Sequence, residues 1–305
     1  MSEVTFEGIL PALITPFTAD GAVDEVALRA LVARSIEAGV GGLVATGSTG
    51  EVASLDSGER RLVLETVIDA ARGKAPVVAG TTSLTTAEAI ELSVHAERAG
   101  AAAVMVMPPF YGVPTWRETL AHFEAIADRI SIPLVYYHMP SVSGTTPTIE
   151  QLAELRRAAH VTAMKDSSGD AVTAAVLIAA GESVPTYLNG ADTLTFSALA
   201  AGVRAVVWGA ATFMPTEAVR LHRLLIEDLD LATARTLWAR LFPICAFLEG
   251  TSYVAGVKAG CRIAGLPAGP VRAPILELTG PEQRELATLL AAAGVSEGEL
   301  AALAG

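Results

Sequence analysis

Apolar residues recur along the first two thirds of the chain in two alternating patterns. Stripes with a 3.6-residue period predict amphipathic helices, and Leu28, Leu31, Val32 and Ile36 form one of them. Between the stripes lie short apolar runs without alternation, which predict strands buried on both faces of a parallel sheet. Several stripes end in Ala-Gly, because glycine readily adopts the left-handed conformation that terminates a helix.

The apolar runs predict eight strands, each separated from the next by a helical pattern. They cover residues 9–15, 41–46, 76–80, 102–107, 133–137, 161–165, 185–189 and 205–208. Repeated strand–helix units predict a parallel α/β fold, and eight of them favour a closed (β/α)8 TIM barrel over an open sheet.

After the eighth strand only helical patterns continue. They cover residues 215–228, 232–248, 251–264 and 281–293. The first would complete the barrel, and the others would form an appended layer. We therefore predict a barrel domain over residues 1–229 and a C-terminal helical extension over residues 230–305. The length also fits two ordinary domains.

Charge and cysteine content narrow the classes of partner. A formal net charge of −12 argues against nucleic acid or an anionic membrane as partner. No run of 18 apolar residues is present, so no membrane span is expected.

Cys245 and Cys261 form no CxxC motif and are expected to be buried thiols in a reducing compartment. Because the N-terminus also lacks the pattern of a signal peptide, a cytoplasmic location is expected.

Lysine is scarce, which makes each lysine worth separate interpretation. Lys74 lies in a predicted turn and is expected to be a surface residue, and Lys258 in a helical pattern is expected to keep its ammonium group in solvent. Lys165 instead ends an apolar strand, at the barrel edge where catalytic residues lie. Burial there would favour the free amine, which can attack a ketone. The alternative is a strand-end lysine paired with Asp166.

Two further strand ends carry polar groups. The segment from Thr46 to Glu51 could present backbone N–H groups to a carboxylate, although an ordinary polar turn explains it equally. Tyr136 and Tyr137 end another strand, where one hydroxyl could move protons or both rings could serve packing alone. His138 is expected to be a hydrogen-bonded core histidine. The histidines show no metal-binding spacing, so no metal is expected.

Five motifs in this order resemble the dihydrodipicolinate synthase / N-acetylneuraminate lyase family, whose members are pyruvate-handling barrel enzymes. The resemblance covers about residues 8–265. The motifs span Gly8 to Phe17, Gly47 to Glu51, Pro109 to Pro114, Tyr137 to Pro140 and Lys165 to Gly169.

The resemblance implies a role for each matching residue. Lys165 would form the Schiff base, and Tyr137 would carry protons and orient the substrate. Ser48 and Thr49 would hold the pyruvate carboxylate, with Ser48 also passing protons to Tyr137. Tyr111 would complete this relay across a subunit interface.

The resemblance implies three further properties. Backbone groups of Gly190 and Val207 would line the pocket. The enzyme would need neither a metal nor an organic cofactor. A homotetramer is expected, because Tyr111 would act across an interface.

Some positions depart from the family's patterns. Synthases of the family usually carry an arginine where this chain has Val142, and valine cannot form the same bidentate contact with a carboxylate. His138 is closer to the sialic-acid lyase pattern, but Thr193 replaces the second acid of the lyase segment, leaving Asp192. Trp208 is expected to narrow the pocket.

These observations together predict a pyruvate-dependent class I aldolase that acts on pyruvate or another 2-oxo acid plus an aldehyde. The main hypothesis is a 2-keto-3-deoxy-acid or sialate-like aldolase. One alternative is 4-hydroxy-tetrahydrodipicolinate (dihydrodipicolinate) synthase, with an arginine supplied from elsewhere. An alternative of another class is a non-catalytic pyruvate-binding barrel, against which the complete set of matching site residues argues.

Overall fold

Eight parallel strands form the centre of the molecule in the computed structural model, which describes residues 6–295. Each strand pairs with its neighbours in the order β1-β8-β7-β6-β5-β4-β3-β2. A parallel bridge between Ala12 and Val44 joins the two ends of this order, and the predicted (β/α)8 barrel is confirmed. The strands are β1 (Gly8–Pro11), β2 (Leu43–Ala45), β3 (Val77–Gly80), β4 (Ala103–Val106), β5 (Leu134–His138), β6 (Val161–Asp166), β7 (Thr186–Asn189) and β8 (Ala205–Trp208).

Helices surround the strands and continue after the last one. The predicted helices of the C-terminal third are confirmed, with ends that differ by a few residues. The helices are α1 (Glu25–Glu37), α2 (Ser57–Ala71), α3 (Thr86–Ala99), α4 (Trp116–Ala127), α5 (Pro140–Ser143), α6 (Ile149–Ala158), α7 (Ala171–Ala180), α8 (Thr195–Ala200), α9 (Pro215–Ile226), α10 (Leu231–Gly250), α11 (Tyr253–Ile263) and α12 (Gly280–Ala293).

The first strand is shorter than its apolar run predicts, since β1 ends at Pro11 rather than near residue 15. The next two residues bond to different neighbours. Ala12 donates its N–H to the carbonyl of Trp208 in β8, whereas Leu13 donates to the carbonyl of Val44 in β2. At these residues the chain stops pairing with β8 alone and bonds to both β8 and β2. The apolar residues after Pro11 therefore help to close the barrel and do not extend β1.

Side chains of each strand alternate between the barrel interior and the helical layer. One buried cluster fills the interior and includes Val135, Tyr137 and Val207. Trp208 belongs to a different cluster, outside the barrel, where its ring lies 6.2 Å from that of Trp238 in α10. The expectation that Trp208 narrows the pocket is therefore wrong, because Val207, one residue earlier, takes the inward position.

The C-terminal helices share that outer cluster with the barrel. Its buried residues come from β1, β8 and α9 as well as from α10, α11 and α12. By length and composition α10 could cross a membrane. However, Leu237, Leu241 and Ile244 of this helix are buried in the shared cluster, which accounts for its apolar composition without a bilayer.

Candidate active site

Lys165 and Tyr137 lie side by side at the carboxyl ends of two adjacent strands. They are register partners in β6 and β5, and both side chains point into the barrel. Lys165 Nζ lies 4.2 Å from the centre of the Tyr137 ring. Only 6% of Lys165 and 4% of Tyr137 is exposed. The structure therefore places an amine and a phenol together at the buried mouth of the barrel, where TIM-barrel enzymes carry their catalytic groups.

The Tyr137 hydroxyl has an unusual electrostatic environment. Burial alone raises the pKa of a phenol, because it disfavours the phenolate. The positive charge of Lys165 and hydrogen bonds involving Ser48, Ser167 and Lys165 oppose this effect and outweigh it. The pKa of Tyr137 is consequently lowered from its ordinary value, and the hydroxyl is better suited to give up a proton than an isolated tyrosine.

A tight turn after β2 brings Ser48 to the same place. Ser48 Oγ lies 3.4 Å from the Tyr137 hydroxyl. Within the turn Gly50 N donates to Gly47 O at 3.0 Å, and Glu51 N donates to Ser48 O at 3.1 Å. Thr49 is buried in this turn. These bonds fix a compact loop that brings the Ser48 hydroxyl to the lysine–tyrosine pair.

Gly190, directly after β7, has no side chain, and the Lys165 side chain occupies the space that a Cβ would need. A Cβ at this position would lie 2.6 Å from Lys165 Cε and 2.5 Å from Ser167 Oγ, closer than real contacts allow. Its carbonyl accepts a hydrogen bond from Ser167 Oγ at 2.9 Å. Val207 is buried in the interior cluster. Both residues therefore border the lumen near the candidate site.

Tyr111 is the one predicted catalytic residue that stands apart from this group. It lies in the connection between β4 and α4, and 90% of it is exposed. Phe110 and Val113 beside it are exposed too. Within a single chain the structure brings together Lys165, Tyr137, Ser48 and Thr49, but leaves Tyr111 in solvent.

His138 and Asp166 lie behind the site rather than in it. His138 stacks on Tyr136, which packs with Phe123 of α4 in a third buried cluster, between the strands and the helices. His138 Nε2 lies 4.0 Å from Asp166 Oδ1. Burial lowers the pKa of His138 despite the nearby carboxylate. His138 is buried in the core as predicted, but the predicted hydrogen bonding is wrong, because Nδ1 has no partner and Nε2 lies too far from Asp166 for a hydrogen bond. Asp166 faces the helices, away from the lumen, so it does not cap the Lys165 ammonium group as the alternative reading supposed.

Asp192 and Tyr253 form a buried contact that sequence reasoning missed. The Tyr253 hydroxyl donates to Asp192 Oδ2 at 2.8 Å, and Ala210 N donates to the same oxygen at 3.3 Å. Burial raises the pKa of Asp192 to about 7. The two residues are 61 positions apart, and no local motif connects them, so only the folded chain reveals the pair.

Val142 occupies the first turn after β5, in the short helix α5. It is half-exposed, at 42%. An uncharged side chain therefore lies at an accessible position just beyond the strand that carries Tyr137.

The opposite end of the barrel holds a cavity of about 690 Å³, lined by residues that include Arg156, Thr186 and Arg204. Its two arginines are already engaged. Arg156 donates to the carbonyl of Val184, and Arg204 pairs with Glu7. Catalytic groups of TIM barrels lie at the carboxyl ends of the strands, so the lysine–tyrosine pair remains the candidate site.

Comparison with known proteins gives consistent matches over nearly the whole chain. A family model described as the dihydrodipicolinate synthetase family matches residues 5–293. The 4-hydroxy-tetrahydrodipicolinate synthase of Nitrobacter hamburgensis is 36% identical over 294 residues, which cover 96% of this chain and 99% of that protein.

Solved structures agree with the sequence matches. A chloride-inhibited dihydrodipicolinate synthase from Acinetobacter baumannii, complexed with pyruvate, superposes with a TM-score of 0.90 and is 28% identical, covering 95% of this chain and 100% of that one. A prophage protein of the dihydrodipicolinic acid synthase family from E. coli K12, also in complex with pyruvate, has a TM-score of 0.89 and 30% identity over 96% of this chain and 100% of that one.

Proposed function

This chain belongs to the dihydrodipicolinate synthetase family and is a Schiff-base-forming carbon–carbon lyase of that family, and from this premise we propose that Lys165 condenses with pyruvate. The family predicted from five motifs is confirmed, and the match extends past residue 265, to residue 293. The observation that carries the proposal is the buried contact of Lys165 with Tyr137, whose hydroxyl reaches Ser48. Pyruvate bound in two solved relatives supports the choice of substrate.

The proposed chemistry follows from the groups at the site. The neutral amine of Lys165 attacks the ketone carbon of pyruvate, and loss of water leaves an iminium ion. The iminium draws electrons from the adjacent methyl carbon, so a proton leaves that carbon and an enamine forms. The enamine carbon attacks the carbonyl carbon of an aldehyde, whose oxygen takes up a proton. Water then releases the product and restores the free amine.

Tyr137 and the turn after β2 have separate proposed roles. Tyr137 carries the protons of these steps, as its lowered pKa and its contact with Ser48 support. The hydroxyls and backbone N–H groups of Ser48 and Thr49 bind the pyruvate carboxylate. Gly190 and Val207 border the lumen beside Lys165 and line the bound substrate.

The aldehyde partner is the finer part of the proposal. Curated relatives that are 33% and 36% identical over 96% of this chain carry the name 4-hydroxy-tetrahydrodipicolinate synthase, which supports this alternative over our main hypothesis of a 2-keto-3-deoxy-acid or sialate-like aldolase. The Asp192 contact weakens the sialate-like reading further, because the one acid left in that segment is buried and bonded to Tyr253. We therefore place the synthase reaction first.

One specific observation keeps an aldolase with another partner as the second candidate. Val142 offers no charge at the accessible rim where synthases carry an arginine. A substrate carboxylate would lose a charge-assisted hydrogen bond there. A hydroxylated or uncharged aldehyde would not. Comparing kcat/KM for aspartate semialdehyde with kcat/KM for sugar-derived aldehydes decides between the two candidates.

Two properties of the protein as a whole complete the proposal. Exposure of Tyr111 supports a homotetramer in which this residue reaches a neighbouring subunit. Both cysteines are free and buried, which supports a reducing, cytoplasmic location.

The test of the proposal is reduction with borohydride in the presence of pyruvate. The chain has only three lysines, at positions 74, 165 and 258, so the modified peptide identifies the nucleophile without ambiguity. We expect the adduct on Lys165, and loss of both adduct and turnover in Lys165→Ala. Lys74→Ala, a change at an exposed turn, is the matched control and should behave as wild type. Modification of Lys74 or Lys258 would refute the assignment. An adduct without multiple turnovers would identify the non-catalytic pyruvate-binding barrel instead.

A further inference from the structure

A buried ion pair joins the C-terminal helices to the turn that holds Ser48 and Thr49. Lys258 Nζ of α11 lies 2.5 Å from Glu51 Oε1, and both side chains are fully buried. The expectation that Lys258 keeps its ammonium group in solvent is therefore wrong. Burial lowers the pKa of Lys258, and the carboxylate of Glu51 opposes this shift.

Other contacts surround the pair on the side of the C-terminal helices. Lys258 Nζ also donates to Pro270 O at 2.6 Å and lies 4.1 Å from the centre of the Phe17 ring. The second carboxylate oxygen of Glu51 accepts a hydrogen bond from Arg272 N at 2.9 Å. Lys258 of α11 and Arg272 of the following segment thus hold Glu51 at both of its carboxylate oxygens.

Glu51 is itself part of the turn, so contacts that fix its side chain also restrict the backbone of the turn. Its backbone is left-handed, with a φ of 56°, a conformation that is strained for a non-glycine residue and persists only where its surroundings enforce it. Its N–H donates to Ser48 O and closes the turn. Thr15 Oγ1 donates to Gly50 O at 2.7 Å from the other side. The conformation of the turn therefore depends on where the Glu51 side chain is fixed.

Stability alone is a weak explanation for this pair. The free energy lost when two charges leave water offsets much of their mutual attraction. Well-packed apolar residues at the same positions often stabilise a protein equally or better. A buried pair that fixes the geometry of a functional loop has a role that apolar residues could not take over.

We propose that Glu51 and Lys258 are positioning residues, which hold the Ser48–Thr49 turn in the orientation that binds the pyruvate carboxylate. The C-terminal helices thereby take part in substrate binding without touching the substrate. This inference rests on the proposed function.

The test separates positioning from stability by comparing single and double variants. Glu51→Gln and Lys258→Met each leave one partner without its opposite charge and should lower Tm. The double variant removes both charges and should recover much of the lost Tm. If the pair positions the turn, KM for pyruvate in the double variant stays at least about tenfold above wild type, a difference of about 1.4 kcal/mol. Its kcat at saturating pyruvate should fall much less.

A second variant keeps the test decisive should the others fold poorly. Glu51→Asp retains the charge but shortens the side chain, so the ion pair can persist only by displacing the turn. We expect Tm near wild type and a raised KM for pyruvate. The control is the exposed ion pair of Arg223 and Asp228 at the C-terminal end of α9. The double variant Arg223→Met, Asp228→Asn should leave KM for pyruvate unchanged.

Each outcome has one meaning. Recovery of both Tm and KM in the double variant, or an unchanged KM in a folded Glu51→Asp variant, would overturn the positioning role while leaving the proposed function intact. An equal rise of KM in the Arg223 and Asp228 control would overturn it as well. A wild-type chain that traps no pyruvate at Lys165 would overturn the proposed function, and this inference with it.

Discussion

Lys165 and Tyr137 obtain their chemistry from parallel strands that end at the same level. Register pairing between β6 and β5 places the two residues opposite each other, and alternation along each strand turns both side chains inward. The positive charge of Lys165 and the hydrogen bonds around Tyr137 then lower the pKa of the phenol against the effect of burial. Two residues that are far apart in sequence are therefore brought into contact by the register of their strands.

The first prediction at this scale concerns Tyr137. We expect Tyr137→Phe to retain pyruvate binding, because Lys165 and the turn after β2 remain, but to lose about 10²-fold or more in kcat, the usual contribution of a positioned proton-transfer group. Steady-state kinetics together with borohydride trapping measure both quantities. A Phe variant with kcat near wild type would assign proton transfer to another group.

The second concerns Val142. Introducing Val142→Arg at the accessible rim should raise kcat/KM for aspartate semialdehyde, since a charge-assisted hydrogen bond contributes about 1.5–3 kcal/mol, roughly 10- to 150-fold. The same change should leave kcat/KM for an uncharged aldehyde nearly unaffected. Val142→Met, which adds length without charge, is the control. Equal effects of both variants on both aldehydes would show that charge at this position does not select the substrate.

At the scale of elements, the end of β7 and the start of α11 meet through one buried contact. Asp192 follows β7, Tyr253 begins α11, and the tyrosine hydroxyl also lies so close to Gly209 that a Cβ there would fall 2.1 Å from its oxygen. Burial raises the pKa of both groups. The packing of α11 against the barrel therefore depends on the protonation state of a single carboxyl.

This contact predicts a specific dependence of stability on pH. With a pKa of about 7, folded Asp192 keeps a proton that the unfolded chain has already lost above the ordinary aspartate pKa of 3.8. Between these values the native state binds more protons, so this group lowers the free energy of unfolding by up to about 1.4 kcal/mol for each pH unit of increase. Its contribution is fully favourable below pH 3.8 and is lost as the pH rises through 7.

The isosteric variant Asp192→Asn isolates that contribution, since other carboxyls titrate equally in both proteins. We expect the variant to be the more stable protein at pH 7–8, with the difference shrinking as the pH falls towards 4. Urea denaturation at several pH values measures it. A difference that is independent of pH would show that Asp192 does not titrate in this range.

At the scale of the whole molecule, exposed apolar side chains predict association. Tyr111 and Val113 lie in solvent before α4, and Val172 and Val176 lie in solvent on α7, with half or more of each exposed. Aromatic and aliphatic groups grouped on a surface are typical of subunit interfaces. They are consistent with the proposed tetramer, in which Tyr111 would gain the neighbour that a single chain does not supply.

Analytical ultracentrifugation at the assay concentration tests this prediction, and we expect a tetramer. Specific activity should fall on dilution below the concentration at which the tetramer dissociates, and Tyr111→Ala should lower kcat. Val94→Ala, a change on α3 outside both exposed groups, serves as the control. A fully active monomer would limit Tyr111 to a local role.

The sequence alone determined what depends on neighbours along the chain. Hydrophobic period distinguishes helices from buried strands, so all eight strands and the C-terminal helices were predictable within a few residues. The position of Lys165 and Tyr137 at strand ends followed from the same pattern, and the ordered motifs indicated the family.

Only the tertiary structure decided which side of a strand each residue faces and which distant residues meet. Trp208 faces outward because of the pairing register of β8, which a continuous apolar run does not reveal. Lys258 forms an ion pair with Glu51, and Tyr253 donates a hydrogen bond to Asp192, because barrel closure and helix packing bring together positions far apart in sequence. The arrangement of the whole chain in space decides how deeply a charged side chain is buried and which group lies beside it. These two properties determine whether the charge is solvated by water or paired with an opposite charge.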